Sequence, residues 1–486
     1  MPQTSAGAAV PARAPDQPYR WRWVALLAIL GAEVMDLLDA LVTTVAAPSI
    51  QRDLGGSATM IQWLSAGYTL AMAAGLLTGG RLGDLYGRRR MFLIGAAAFT
   101  AASLLCGLAW SPEVLVAARV LQGLFGAVMI PQGLGMIKEM FPPREQAAAL
   151  GAFGPVMAIG SVGGPVLAGW LVGADLFGTG WRMIFLINLP VGLLVIAGAV
   201  FFMRESRTGH VTRLDLTGVG IAGAAALLLI YPLVQGRELG WPAWTFVSMA
   251  ASVALFAVFG LQQSRRQRAG GDPLVVVGLF RKRAFTGGLA AGLLFFAVLI
   301  GFNWVFSVYL QTGPHYTPVQ AGLAFLPQAV GAVIGFGAAN AGLQQRYGRT
   351  LIHAGTLVMG AGAIGLALVF GAAGTSAGIW RLAPFLVAIG LGMALAMSPF
   401  FDIALAGVEP AETGSASSTL TAVQQLGGAF GVALLGTVFF QAAGGGAWDP
   451  VTAVRVTLGV LAGMLLLTCL LALLMPKRAR PEGAGH

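Results

Sequence analysis

Runs of about 20 apolar residues recur along this chain from Trp23 to Met475, each long enough to cross about 30 Å of hydrocarbon. In lipid every backbone N–H and C=O must be satisfied within its own segment, so these runs read as helices. The pattern predicts fourteen spans, at 23–48, 58–79, 91–110, 113–137, 147–172, 183–203, 214–235, 244–263, 286–310, 319–341, 350–371, 380–404, 414–440 and 451–475. Only 10% of the 486 residues are charged, against about 25% in soluble domains. The expected class is an all-α polytopic membrane protein, and a soluble enzyme is excluded.

The net charge of +10 does not point to nucleic acid. With both termini placed in the cytoplasm, the inner tails and loops hold about 23 of the 29 Lys and Arg residues, which is the positive-inside asymmetry. Arginine far outnumbers lysine, the lysines being Lys138, Lys282 and Lys477, as in a GC-rich bacterial genome. The expected location is a bacterial cytoplasmic membrane. Residues 1–22 read as a disordered cytoplasmic tail leading into an uncleaved first helix. Cys106 and Cys469 fall in separate apolar spans, so no disulfide framework is implied. No phosphate-cradling GxxxxGK[ST] loop and no metal-spaced Cys/His set occurs. Neither catalytic residues, a metal nor a cofactor is expected, and energy has to come from an ion gradient.

The first span reads "GAEVMDLLDALVTTVAAP" over 31–48 and carries Glu33, Asp36 and Asp39. An acid at mid-membrane costs about 2.5–3.5 kcal/mol on insertion scales. At 100° per residue, steps of three place the acids on one face about 120° wide, each about 4.5 Å further along the axis. Such a face cannot be left to lipid and is expected to line a cavity. Alternatively, one or two of the acids hydrogen-bond to neighbouring helices. Asp402 is a further acid, near the inner end of the twelfth predicted span.

The loop after the second span, "GRLGDLYGRRRMFL" (80–93), matches "AGLQQRYGRTLIHA" (341–354) after the tenth. Aligning Gly87 with Gly348 pairs Leu82 with Leu343, Tyr86 with Tyr347 and Arg88 with Arg349, while Gln345 stands opposite Asp84. If the seventh and eighth spans are an insertion, each loop follows the second helix of a six-helix set. A parallel repeat of six-helix halves is a transporter architecture.

At these residues the chain resembles the major facilitator superfamily, specifically its fourteen-helix drug:proton antiporter branch, over about residues 23–475. The resemblance implies a major facilitator fold of two six-helix bundles plus two inserted helices. Its parts are a tail at 1–22, an N-terminal bundle at 23–204, an inserted pair with flanking cytoplasmic loops at 205–284, a C-terminal bundle at 285–475 and a tail at 476–486. "GRLGDLYGRRR" resembles the signature loop, with Leu85 where a basic residue is usual. The resemblance assigns gating to Gly80, Asp84, Gly87 and Arg88, and Gly80, Gly83 and Gly87 are read as allowing tight approach. "LVAARVLQGLFGA" (115–127) resembles the fourth-helix motif and implies a proton-coupling role for Arg119; snorkelling to the outer surface is the alternative. "GAFGPVMAIGSVGGPVLAGWL" (151–171) resembles the fifth-helix motif of exporters through Gly151, Gly160, Gly164, Pro165 and Gly169. "LDALVTTVAAP" (38–48) resembles the branch's first-helix motif and singles out Asp39, whereas Glu33 and Asp36 rest on the physics alone.

The expectation is a proton-coupled antiporter exporting lipophilic, cationic small molecules by alternating access. Asp39, Glu33, Asp36 and Arg119 are the candidates for coupling and for holding the substrate's charge. Gln122, Asn188, Asn303, Trp304, Tyr309 and Asp402 are candidate substrate contacts, each also readable as helix packing. Its partners would be a small-molecule substrate, protons and the bilayer, with the protein a monomer. The rivals are a dedicated exporter of one metabolite or self-made antibiotic, and a non-transporting receptor of the same fold.

Overall fold

A computed structural model describes residues 19–142, 144–146, 149, 152–205, 214–409, 412–442 and 449–478. Most of both tails, residues 1–18 and 479–486, and Gly151 of the fifth-helix motif therefore lie outside the described residues. The chain runs through long helices joined by short turns. These are α1 (Arg22–Leu54), α2 (Ala58–Tyr86), α3 (Arg88–Gly107), α4 (Pro112–Met140), α5 (Phe153–Gly173), α6 (Asn188–Phe202) and α7 (Leu216–Gln235). There follow α8 (Ala243–Arg268), α9 (Arg283–Thr312), α10 (Leu326–Ala338), α11 (Arg349–Ala373), α12 (Ile379–Ala404), α13 (Thr413–Gln441) and α14 (Pro450–Ala472). Eleven helices among the described residues are long and apolar enough to cross a bilayer, or twelve counting α2, which bends by 48° near Thr78. Outside that set lie α1, with its three acids, and α5, whose qualifying apolar stretch is the shorter Gly163–Gly173.

Two apolar clusters fill the space among α1–α6. One gathers Ile29, Met35, Tyr68, Phe92, Phe99 and Met136, and the other Ile50, Leu64, Leu115, Leu171 and Phe185. A larger cluster runs through α9–α14 around Phe296, Trp304, Tyr309, Phe370 and Leu435, and takes in Ile230 and Val234 of α7. The pair α7–α8 packs as a hairpin, with α7 against α2 and α13.

Contacts between the two helix groups are concentrated towards the end away from the Gly87 and Gly348 turns, and α2 and α13 also meet near mid-helix, where Gln425 Nε2 donates to Met72 Sδ at 3.3 Å. Gln311 Nε2 donates to the Val45 carbonyl at 2.8 Å and Ser307 Oγ to the Thr44 carbonyl at 3.2 Å. Gln62 Nε2 donates to the Val432 carbonyl at 3.4 Å. A Cβ on Gly169 would sit 2.9 Å from Val319 Cα, and one on Gly322 3.0 Å from the Pro165 carbonyl carbon. Gly164 and Pro165 are buried beside this contact, and Gly160 packs against Leu37 of α1. Helices can approach this closely because the side chains between them are nearly absent.

Both repeat loops are corners at which a glycine with positive φ turns one helix into the next, with φ of 100° at Gly87 and 50° at Gly348. Each corner clamps the last stretch of its own group. Glu205 accepts the Arg89 and Arg90 amides at 3.2 Å, capping α3, while Arg89 donates to the Ala199 and Val200 carbonyls. At the second corner Arg349 donates to the Leu473 and Met475 carbonyls, and its amide to the Lys477 carbonyl at 2.9 Å. By contacts, then, Arg349 corresponds to Arg89, one place from the Arg88 that sequence alignment pairs with it. The tight positions also differ from expectation. Gly79 packs directly on the Ala127 backbone, whereas a Cβ on Gly80 would be 3.8 Å from Pro131, ordinary contact.

At Gly87 a Cβ would meet the Glu205 carboxyl carbon at 2.6 Å on top of the positive φ. Gly87→Val is expected to cost about 1–3 kcal/mol, read as a lowered thermal midpoint of the purified protein in detergent. Gly80→Ala should leave that midpoint unchanged; an equal loss in both variants would contradict this assignment.

Candidate functional site

Five helical segments of the first group converge on one carboxylate. Asp39 of α1 is 2% exposed and Arg119 of α4 is fully buried. Arg119 Nη1 forms an ion pair with Asp39 Oδ2. The other carboxylate oxygen accepts from Gln122 Nε2 at 2.8 Å and from Asn188 Nδ2, at the start of α6, at 2.9 Å. Ser103 Oγ of α3 accepts from the same two amides, at 2.8 and 3.3 Å. Arg119 Nη1 also donates to Gln122 Oε1 at 2.7 Å, and its Nε donates to the Leu64 carbonyl of α2 at 3.1 Å. Its guanidinium lies 4.2 Å from the centroid of the Tyr68 ring, a cation–π contact. The hydroxyl of Tyr68 donates to Asp36, so one tyrosine touches both the cation and the next acid along α1.

The three acids of α1 thus divide. Asp36 and Glu33 remain partly exposed, and Glu33 has no hydrogen-bond partner among the described residues. The expectation that all three line a cavity is corrected at Asp39, which turns inward because the Arg119 ion pair and two amides offset the loss of water. Snorkelling of Arg119 is ruled out by the same pair. Gln122 and Asn188, expected as substrate contacts, spend their amides on Asp39 and are buried with it.

The remaining candidates lie in the second group. Asn303 accepts from Gln328 Nε2 at 3.1 Å, and both line a small cavity between the groups with Thr44, Pro165 and Met393. Trp304 and Tyr309 were expected to supply aromatic walls. Instead Trp304 is buried against Phe440 and Tyr309 packs on Phe370, with ring centroids 6.1 and 4.7 Å apart. Residues 302–310 are buried on all but one side of α9, so aromatic identity alone did not say which rings face the interior of the group. Asp402 is exposed and accepts from Gln344, whose side-chain oxygen in turn accepts from Ser398 at 2.7 Å.

In the first corner Asp84 accepts from Arg88 Nη2 at 2.8 Å, and Arg88 Nε lies 3.4 Å from Glu139 of α4. Sequence reasoning missed Glu139, Glu205, Tyr68 and Ser103. A helix-end acid such as Glu139 carries no motif signal. Tyr68 lies in an apolar run where it reads as ordinary core.

The buried pair makes a thermodynamic prediction. Removing one partner strands the other in an apolar site at about 3–5 kcal/mol, more than removing both. Arg119→Gln is therefore expected to be less stable than Asp39→Asn/Arg119→Gln, measured by thermal unfolding in detergent. Additive losses in the double variant would show that the pair does not act as a unit.

Three comparisons bear on this arrangement. A solved structure of a peptide transporter of the POT family in an auto-inhibited form superposes with a TM-score of 0.67 at 15% identity, covering 94% of this chain and 98% of that one, which shows the fold alone. A "Probable actinorhodin transporter" of Streptomyces coelicolor is 50% identical over 423 residues, 87% of this chain and 73% of that protein. The tetracenomycin C resistance and export protein of Streptomyces glaucescens is 31% identical over 424 residues, 87% of this chain and 77% of the relative. The sequence model of the Major Facilitator Superfamily matches residues 29–432, and the chain belongs to that superfamily of transporters.

Proposed function

We propose that this protein is a proton-coupled antiporter that exports lipophilic, cationic small molecules across a bacterial cytoplasmic membrane. In this reading it has fourteen spans, the eleven apolar helices and bent α2 joined by α1 and α5. Two six-helix bundles, 23–204 and 285–475, move against each other, with 205–284 inserted between them. The termini are cytoplasmic, which puts the backbone-carbonyl and glycine contacts between the groups towards the outer end, with α2 and α13 also meeting near mid-membrane. The protein acts as a monomer.

The observation that carries the reading is the buried Asp39–Arg119 pair standing beside two less buried acids. A proton taken up by Asp39 removes the charge that Arg119 faces. The guanidinium keeps Gln122, the Leu64 carbonyl and the Tyr68 ring. Tyr68 passes the change on to Asp36 through its hydroxyl. Asp36 and Glu33 then hold the substrate's positive charge more or less strongly according to the state of the pair. Asn303 and Gln328 lie across the seam as polar contacts for the substrate. Gly160, Gly164, Pro165 and Gly169 form the packed face on which the bundles rock. The ion pairs of Arg88 with Asp84 and Glu139 hold the inner corner in one state, with Gly87 supplying the turn.

The names of the relatives, a transporter of actinorhodin and a tetracenomycin C export protein, support export of antibiotic-like molecules. They also favour a second reading, a dedicated exporter of one self-made antibiotic. Competition among unrelated lipophilic cations, such as ethidium and tetraphenylphosphonium, separates the two: many competitors support the broad reading and a single effective compound the narrow one.

Asp39→Asn mimics the protonated state and keeps a neutral acceptor for Arg119, so the variant should melt lower than wild type, as a broken pair does, yet still insert and elute as a folded protein. In proteoliposomes with an imposed pH gradient it is expected to lose gradient-driven ethidium transport. Transport at the wild-type rate would remove Asp39 as the coupling group.

A further inference from the structure

An apolar cavity beside the inserted hairpin has no role in the proposed transport cycle. It measures about 660 Å³ and lies where the α7–α8 hairpin leans on α2 and α13. Ala73 and Ala74 of α2 and Ala422 of α13 form its back, and Phe256, Gly260 and Phe280 its outer wall. The α8 lining runs from Phe256 to Ser264, about 12 Å along the helix axis. Away from the lining α8 exposes Val253 and Val258, as a lipid-facing helix does, and Leu261 of the lining is itself exposed.

The chemistry of the lining narrows the occupant. Its polar residues are Gln263, Ser264 and Thr419. Gln263 is spent on Asp215 and on the Leu274 and Val275 amides, and Thr419 donates to the Ser415 carbonyl. A ligand with polar groups along its body would find few partners there, whereas a hydrocarbon chain needs none. One end of the cavity is different. Arg265 follows Ser264, Arg268 stands a turn further on and Arg281 follows Phe280; all three are exposed. Exposed cations at the mouth of an apolar slot facing lipid match an anionic headgroup above an acyl chain.

We propose that an acyl chain of an anionic phospholipid occupies this cavity, with its headgroup on Arg265, Arg268 and Arg281. The inference is independent of what the protein carries. Because the back wall is α2 and α13, which meet across the seam between the helix groups, the lipid would sit against the joint that must move.

Gly260 allows a clean test, because a Cβ there meets nothing within 4 Å. Gly260→Leu fills the slot without a clash and in a helix interior raises helix propensity. The full chain is purified from nanodiscs of phosphatidylglycerol and phosphatidylethanolamine, and retained lipid is counted by native mass spectrometry. Wild type is expected to keep one phosphatidylglycerol that Gly260→Leu loses, with both proteins eluting and melting alike. Each of Arg265→Gln, Arg268→Gln and Arg281→Gln should weaken retention about fivefold, from about 1 kcal/mol per basic residue. Equal phosphatidylglycerol retention by wild type and Gly260→Leu would overturn the proposal. So would displacement of the lipid by ethidium together with a raised KM for ethidium in Gly260→Leu, which would make the cavity a substrate site.

Discussion

A guanidinium with no water to face organises the amino-terminal helices. Moving such an ion into an apolar interior costs several kcal/mol even after relaxation, and a neighbouring carboxylate recovers that only when the remaining donors and lone pairs are also satisfied. Around Arg119 and Asp39 this requires groups from α2, α3, α4 and the start of α6, so the positions of five helical segments are fixed by one pair. A hydrophobic substitute of equal volume would hold the helices as firmly. What it would not supply is a set of directional hydrogen bonds that fixes the helices in one register, each bond strengthened by the low local dielectric.

Much of the fold was legible because lipid simplifies the problem: apolar runs of fixed length must be helices, and the paired Gly87 and Gly348 loops revealed the repeat. The site was legible in part. Asp39, Arg119, Gln122 and Asn188 were all named from the sequence, and they meet in one network. What the sequence could not say is that they bond to one another. Helical periodicity places Glu33, Asp36 and Asp39 on a shared face, yet a face about 120° wide reaches both a protein interior and an opening. Which acid turns inward depends on a partner about 80 residues away in Arg119, and periodicity within one helix has no access to that. The burial of Trp304 and Tyr309 within the second group was not legible for the related reason that an aromatic side chain suits a core and a binding wall equally well.

The two corners show how a repeat diverges under unequal demands. Both keep the glycine and an arginine that clamps the end of its own helix group through backbone carbonyls, which is a structural need common to each. The first adds Asp84, Arg88 and Glu139, whose charges attract one another. At the second, the neutral Gln344 bridges Asp402 and Ser398. The first corner is thus tied by ion pairs within the group that also holds the buried pair, and the second by an amide on a carboxylate.

That distribution fits the contacts across the seam. The ion pairs Arg22–Glu145, Arg88–Asp84, Arg88–Glu139, Arg119–Asp39 and Arg182–Asp53 lie within the first helix group, while Lys282–Glu412 joins the lead-in to α9 with the start of α13. The direct contacts between the groups are of another kind: amide or hydroxyl donors on backbone carbonyls, an amide on the Met72 thioether, and glycines against backbone. Breaking a neutral hydrogen bond at a surface that water can enter costs about 1 kcal/mol, whereas parting a buried ion pair costs several. An interface of the first kind can open and close repeatedly with small barriers. Had Asp39 found its cation on α9 or α13, every opening would have stranded two charges. Keeping the pair within one group leaves it intact whether the seam is closed or open.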